Sequence, residues 1–301
     1  MIEVATGCER RAVLFKDMSS IIGLIVVLGA VAGGFAMAGG PFGVLFQPSE
    51  LVVIGGAALG TLIIAAPGRV GKRVLNAFKK GFQNHTPSPD DYSDLLKLLY
   101  GVFQLTRREG MLALESHLEN PNESVLFKKY PSVTRRHHAM TFLCDGLRQL
   151  VDGCSVSELS LLFETELETL HEEEHQPITL LKATSDALPG LGIVAAVLGI
   201  VVTMGHMDGG PEVIGHHVAA ALVGTFLGIL LCYGVLGPIA TGIELQANAE
   251  TRFLFAIREG VLCAARGNAP ELSVEFARRV IFSDERPTSK DMPKLLASAK
   301  G

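Results

Sequence analysis

Long stretches without any charged residue dominate the pattern of polar and apolar positions. Asp, Glu, Lys and Arg are all absent from 18–49, 51–68, 187–207 and 213–243. A helix needs about 20 predominantly apolar residues to cross a hydrocarbon core about 30 Å thick, and each stretch is close to that length or longer. The pattern therefore predicts four membrane-spanning helices, at Ile21–Gly39, Leu51–Pro67, Leu188–Gly205 and Val218–Ala240.

Composition supports a membrane protein. Mean hydropathy is +0.36, and charged residues make up 19% of the 301 residues, against about 25% in soluble domains. A soluble helical protein is disfavoured, because its helices would carry charges on their solvent faces. The five scattered cysteines contain no C-x-x-C pair, so they predict no disulfide scaffold or zinc knuckle. With a net charge of −5 and no basic stripe, nucleic acid is excluded as a partner.

The distribution of positive charge predicts the orientation. Of the 26 Lys and Arg residues, 14 lie in 68–187 and nine follow the fourth span, while the short loops 40–50 and 206–217 contain none. Lys and Arg accumulate on the cytoplasmic side of a membrane. Both termini and the long loop should be cytoplasmic, in a multi-pass protein of the cell inner (cytoplasmic) membrane.

These features divide the chain into five parts and predict an all-α integral membrane fold. Asp90 or Asp91 should cap a leucine-rich helix of the long loop, and no run of β-alternation appears there. Residues 1–18 form an N-terminal extension, which is untranslated if synthesis starts at Met18. Residues 19–68 contain spans one and two with a short periplasmic loop, and residues 69–186 form a cytoplasmic helical domain. Residues 187–243 contain spans three and four, and residues 244–301 form a helical cytoplasmic tail.

The predicted spans lack a deeply placed ionisable residue, since His206, His216 and His217 fall at their outer ends. Ion carriers usually keep such a group within the bilayer. If this chain conducts protons, the carboxylate is therefore expected from another polypeptide. Thr225, in the middle of span four, could hydrogen-bond water or that carboxylate, or instead its own helix carbonyl four residues back.

Two prolines lie near the cytoplasmic ends of their spans. Pro189 either opens span three as a first-turn proline or kinks it. Pro238 lies inside a continuing helical pattern, where the missing backbone donor favours a kink and a hinge.

Small residues at G-x-x-x-G spacing occur in three of the spans. Such motifs let helices approach closely, either within one chain or between chains. They are Gly29 to Gly33, Gly56 to Gly60 and Gly224 to Gly228.

One enzyme motif is present. His171 to His175 matches H-E-x-x-H, the spacing of a zinc metalloprotease. The motif lies in an acidic stretch and no further motif supplies an obvious third ligand, so a solvated acidic face is the preferred interpretation. We expect no enzyme activity and no cofactor.

Several segments, taken together and in order, resemble the MotA family of flagellar motor stator proteins, within the MotA/TolQ/ExbB proton channel family. The resemblance covers about 19–292, and it excludes the first 17 residues. The segments that carry it are Leu188–Gly199, Val223–Leu230, Phe46–Leu51, Arg107–Met111, Leu118–Pro121, Ala269–Phe276 and Ser283–Pro287.

The resemblance implies a proton channel that drives flagellar rotation. In that family a ring, understood as a pentamer, surrounds a dimer of MotB, whose aspartate binds the proton and whose periplasmic part grips peptidoglycan. By the same resemblance, Pro189 and Pro238 couple ion passage to motion, and Thr225 faces the pore. A proton-driven ExbB/TolQ-like energising module is the alternative function.

The resemblance also implies a rotor surface and an ion type. Arg107 and Glu115 match the charged pair that engages the rotor protein FliG. Arg108 stays a candidate, because on a continuous helix it aligns better with Glu115. Sodium-driven relatives have a second threonine seven residues after the span-three proline, where this chain has Ala196, which favours protons.

Overall fold

The structure is a computed structural model that describes residues 19–82, 86–205 and 210–299. Within these ranges the chain forms helices and turns and contains no strand, which confirms the predicted all-α fold. The 1–18 extension, its alternative start at Met18, and His206 lie outside the described residues.

Helices follow one another along the described ranges with short connections. In chain order they are α1 (Ser19–Met37), α2 (Phe42–Leu45), α3 (Pro48–Ala65), α4 (Gly68–Lys80), α5 (Pro89–Glu109), a 3-10 turn (Met111–Leu114), α6 (Glu115–Glu119), α7 (Val125–Lys128), α8 (Pro131–Thr134), α9 (His137–Val151), α10 (Val156–Met204), α11 (Gly210–Ile229), a π-helix (Leu230–Leu236), α12 (Gly237–Ala265), α13 (Pro270–Val280) and α14 (Met292–Ala297).

Four helical stretches of the described chain are long and apolar enough to cross a membrane, which confirms the four predicted spans. Spans one and two correspond to α1 and α3. Span three is the end of the 49-residue helix α10. Span four comprises α11, the π-helix and the start of α12, and α12 continues to Ala265.

The chain divides into two compact units. The membrane unit comprises 1–85 and 173–246, and the polar unit comprises 86–172 and 247–301. Their boundaries fall within α10 and α12, so charged helical segments next to spans three and four belong to the membrane unit. The five-part division predicted from the sequence stays a prediction.

A hydrophobic core holds the polar unit together. Helix α5 buries Leu99 and Phe103, and both side chains lie close to Gly260 of α12. The N-terminus of α5 is capped by Ser88, whose hydroxyl accepts from the Asp91 N–H at 3.2 Å while the Asp91 carboxylate accepts from the Ser88 N–H at 2.8 Å. The predicted cap, Asp90 or Asp91, was therefore wrong, and Asp91 closes a capping box instead.

One of the three G-x-x-x-G motifs packs within the chain. A Cβ at Gly228 would lie 2.6 Å from the Leu188 carbonyl oxygen and 3.0 Å from the Gly192 Cα. Only glycine permits this approach of spans three and four. At the other two motifs, in α1 and α3, no described atom outside the helix lies within 4 Å of an added Cβ.

Candidate functional site

Pro189 lies in the middle of a continuous helix. Helix α10 runs from Val156 to Met204 through both Pro177 and Pro189, so the alternative of a first-turn proline that opens span three does not hold. A proline inside a helix removes one backbone hydrogen bond and weakens the helix locally. Pro177 has the same property, and the sequence analysis overlooked it.

Pro238 follows a wide turn in span four. The seven residues before Gly237 form a π-helix, and the Gly237 N–H donates to the Cys232 carbonyl five residues earlier. π-helical segments are rare and occur often at functional sites. The π-helix ends directly before Gly237 and Pro238, and the predicted kink and hinge at Pro238 stay a prediction.

A buried hydrogen bond links the two proline-containing regions. Ser185, one turn before Pro189 on α10, donates its hydroxyl proton to the Cys232 carbonyl oxygen at 3.1 Å. Ser185 and Cys232 are each 2% exposed. The same carbonyl thus accepts from the Gly237 N–H and from a neighbouring helix. Sequence reasoning missed Ser185, because nothing in its local pattern predicts the contact.

Thr225 has a free hydroxyl in the described structure. The side chain is half-buried, and it makes no hydrogen bond to any described residue. Thr184 and Thr203, by contrast, each donate to the carbonyl four residues back, at 2.8 Å. The self-bonded alternative for Thr225 is therefore not observed. Ala196, on α10, is buried.

Glu50, directly before the predicted start of span two at Leu51, is a buried carboxylate, while the expectation that the spans contain no deeply placed one stays a prediction. Glu50 lies in the first turn of α3, within the apolar stretch Phe42–Ala65, and is only 7% exposed. Its carboxylate makes no hydrogen bond or ion pair with any described residue, and Oε2 is fully buried. The sequence contains a signal for it, since Glu50 alone separates the charge-free stretches 18–49 and 51–68.

The predicted rotor residues lie around a helix end. Helix α5 ends at Glu109, and Gly110 has a φ of +88°, a left-handed conformation that favours glycine. Because the helix does not continue to Glu115, its regular projection cannot decide between Arg107 and Arg108. All three side chains are exposed, and none has a hydrogen-bond or ion-pair partner among the described residues.

Buried neighbours fix this charged surface. Phe103 is 3% exposed on α5, and Leu114, directly before Glu115, is fully buried in the same hydrophobic core. Arg107 and Arg108 therefore lie at the end of α5, and Glu115 lies at the start of α6 after one turn. Both positions are anchored to the hydrophobic core of the polar unit.

The tail of the polar unit is held by one buried arginine. Arg278, 4% exposed, donates to both carboxylate oxygens of Glu275 at 2.7 Å, to the Pro287 carbonyl at 3.0 Å and to Ser289 Oγ at 2.9 Å. Hydrogen bonding from Arg278, with Arg279 nearby, lowers the pKa of Glu275 to about 2. These contacts connect two of the sequence segments that carry the family resemblance.

The H-E-x-x-H motif lies on a charged part of α10. His171 and His175 lie one turn apart on α10, and Glu173 pairs with Arg73 at 3.0 Å. Among the residues that the structure describes, no three His, Cys, Asp or Glu side chains converge. The arrangement is that of a charged helix face.

Taken together, the fold and the site define a class: a multi-pass helical membrane protein with a hydroxyl, a carboxylate and two prolines in or beside its spans, and a separate polar helical unit. Two protein-family models match the sequence and agree with this class. "Motility protein A N-terminal" matches residues 21–110, and "MotA/TolQ/ExbB proton channel family" matches residues 135–253.

Relatives match over nearly the full length. Motility protein A of Salmonella typhimurium is 38% identical, with 90% of this chain and 92% of the relative covered. Motility protein A of Escherichia coli is 37% identical, covering 94% and 96%. A structure of the flagellar MotAB stator complex from Bacillus subtilis matches with a TM-score of 0.74 and 26% identity, covering 89% of this chain and 97% of that chain.

The chain belongs to the MotA family of proton channel proteins. It is a flagellar motor stator subunit of the inner membrane, and it is not an enzyme. The match at the N-terminal spans is to motility proteins, so the ExbB/TolQ-like energising module is not supported as the alternative.

Proposed function

We propose that several copies of this chain, expected as a pentamer, surround a MotB dimer and convert proton flow into torque on the rotor protein FliG. Both termini and the polar unit face the cytoplasm in this arrangement, as the distribution of Lys and Arg predicts. MotB supplies peptidoglycan anchorage and a proton-binding aspartate. The similar structure from Bacillus subtilis, described as a flagellar MotAB stator complex, supports this assembly.

The ion path runs along spans three and four. The free hydroxyl of Thr225 supports a role in holding water or the partner's carboxylate. Ala196, where sodium-driven relatives have a threonine, offers no oxygen to replace part of a sodium hydration shell. Protons, which need no such oxygen cage, are therefore the transported ion.

Coupling to motion involves the two prolines. Pro189 interrupts the hydrogen bonding of a long helix, and Pro238 follows a π-helix, so both helices bend more easily there than elsewhere. Protonation of the partner's aspartate shifts the ring between two packed arrangements, with bending concentrated at these positions.

The observation that carries the torque-generating role is the exposed, unpaired charge at Arg107, Arg108 and Glu115. Some other charged side chains of the polar unit are paired internally, as in Arg136 with Asp91 at 2.9 Å, whereas these three have no partner among the described residues. Charges without internal partners, held on a rigid surface, suit transient contacts with opposite charges on a moving rotor.

Single substitutions test this role. Arg107→Glu and Glu115→Lys should each leave flagellar filaments in place but strongly reduce swimming, because charge reversal repels the rotor residue that the native charge attracts. Arg108→Glu measures the contribution of the second arginine. Arg135→Glu, at another exposed and unpaired arginine of the polar unit, is the matched control.

Swimming speed and filament number are scored separately, with membrane levels of the protein checked by immunoblot. Normal swimming in Arg107→Glu, Arg108→Glu and Glu115→Lys would contradict the proposal. An equal loss in the Arg135 control would show that the surface acts through net charge rather than through a specific contact.

A further inference from the structure

The carboxylate of Glu50 occupies a pocket of small residues between the spans. A Cβ added at Gly224 of α11 would collide with Oε2, and one added at Gly199 of α10 would lie 3.7 Å from Oε1. Ala195 and Ala221 complete the narrow space around these glycines. Two helices other than its own therefore leave room for this carboxylate.

Burial without a partner is costly for a carboxylate. Removing its charged form from water costs several kcal/mol unless an ion pair or hydrogen bonds compensate, and Glu50 has neither among the described residues. An acid in the first helical turn interacts favourably with the helix dipole, but a solvent-exposed acid would gain the same interaction. The dipole alone does not account for its burial.

The pocket lies beside the predicted ion path. Gly224 directly precedes Thr225 on α11, and Ala195 directly precedes Ala196 on α10. Glu50 is in the first turn of its own helix, at the end that the charge distribution predicts to face outward. The position suits a group that receives protons from outside and passes them towards the middle of the spans.

We propose that Glu50 is a proton-binding group of the channel, a carboxylate that this chain supplies itself. A hydronium ion in the external water gives up a proton as one of its O–H bonds breaks, and the proton forms an O–H bond with the carboxylate, leaving a water molecule and a neutral acid. That bond then breaks as the proton moves to the next acceptor on the path, a water molecule or the carboxylate of the channel partner, and Glu50 regains its charge. One proton is transferred and no electrons move. The inference rests on the chain's membership of a proton channel family.

Substitutions that separate charge from shape provide the test. Glu50→Gln keeps the size and hydrogen-bonding capacity of the neutral acid but cannot bind or release a proton, whereas Glu50→Asp keeps the proton chemistry in a shorter side chain. Proton flux is measured in proteoliposomes that contain the full chain with its channel partner. Ser49→Ala, at the exposed neighbour in the same helical turn, is the control.

A proton-binding role predicts that Glu50→Gln loses most of the flux while the complex stays assembled, and that Glu50→Asp retains more flux than Glu50→Gln. If Glu50 only filled space, Glu50→Gln would retain more flux than Glu50→Asp. Wild-type flux in Glu50→Gln would overturn the inference. An absence of flux in the wild-type complex, with the complex assembled, would instead count against the channel function itself.

A measurement on the wild-type complex covers the case in which Glu50→Gln does not assemble. Carbodiimides react preferentially with protonated carboxyl groups in apolar surroundings. Treatment with dicyclohexylcarbodiimide should modify Glu50, detected by mass spectrometry of its peptide, and should block flux in proportion. Full modification without loss of flux, or no modification at Glu50, would overturn the inference.

Discussion

The hydrogen bond from Ser185 to the Cys232 carbonyl can be removed by one small substitution. Ser185→Ala deletes the hydroxyl that links α10 to the π-helix and leaves the rest of the side chain in place. Cys232 keeps the bond from the Gly237 N–H, so no carbonyl is left without a donor. The change therefore tests the link between the helices rather than the integrity of span four.

The expected magnitude follows from this geometry. A neutral intramolecular hydrogen bond contributes about 1 kcal/mol to stability, and the cost rises mainly when a buried partner is left unsatisfied. Because that does not happen here, Ser185→Ala should cost about 1 kcal/mol, a change of about fivefold in an equilibrium constant. For a chain of this size the apparent unfolding temperature should fall by about 2 °C.

Thr184→Ala is the matched control. Thr184 is the adjacent residue, but its hydroxyl donates to the Leu180 carbonyl of its own helix at 2.8 Å. Both variants lose one hydroxyl, and only Ser185→Ala loses a bond between two helices. Unfolding temperature in detergent and rotation speed of tethered cells should therefore both change more in Ser185→Ala than in Thr184→Ala.

Equal effects in the two variants would refute the reasoning, because they would show that the bond between helices contributes no more than a bond within one helix. Wild-type stability combined with wild-type rotation in Ser185→Ala would refute it as well.

Two further predictions concern packing and acid stability. Gly228→Ala should disrupt the contact with Leu188 and lower the free energy of unfolding by about 1–3 kcal/mol. Gly242→Ala is the control and should be tolerated, because no described atom lies near its added Cβ. Equal melting curves for the two variants would contradict the prediction for Gly228. Arg278→Ala should destabilise the protein by about 3 kcal/mol, because the half-buried Glu275 carboxylate loses its buried partner. The lowered pKa of Glu275 stabilises the folded state fully at pH values above 4.5, the ordinary pKa of a glutamate, and progressively less as the pH falls towards about 2. In acid unfolding, Arg278→Ala should therefore lose less stability between pH 4.5 and pH 2 than the wild-type protein does.

The spans could be predicted from the sequence because lipid excludes charge. Four charge-free stretches were sufficient to find them, with ends displaced by a few residues. The full lengths of α10 and α12 could not be predicted in the same way. Both helices extend beyond the apolar stretch into segments with charged residues. The residue pattern changes there from apolar to charged, although the backbone stays helical.

The site was predicted less completely, because its missing members depend on tertiary contacts. Thr225, the two prolines and the charged residues around Gly110 were predicted from local pattern and family resemblance, and their roles stay predictions. Glu50 was missed because a charged residue ends a charge-free window, although glycines on two other helices enclose it. Ser185 and the π-helix likewise depend on contacts between distant segments of the chain.

The energy of one proton limits how the spans can move. A proton that crosses a potential of about 100 mV releases about 2.3 kcal/mol, which is comparable to one or two net hydrogen bonds. It can therefore shift a contact such as the one between Ser185 and Cys232. It cannot separate spans three and four, whose backbones touch at Gly192 and Gly228. Motion driven by protons must keep that contact and change the bend of the helices around it, and the π-helix before Pro238 is where span four already departs from regular α-helical bonding.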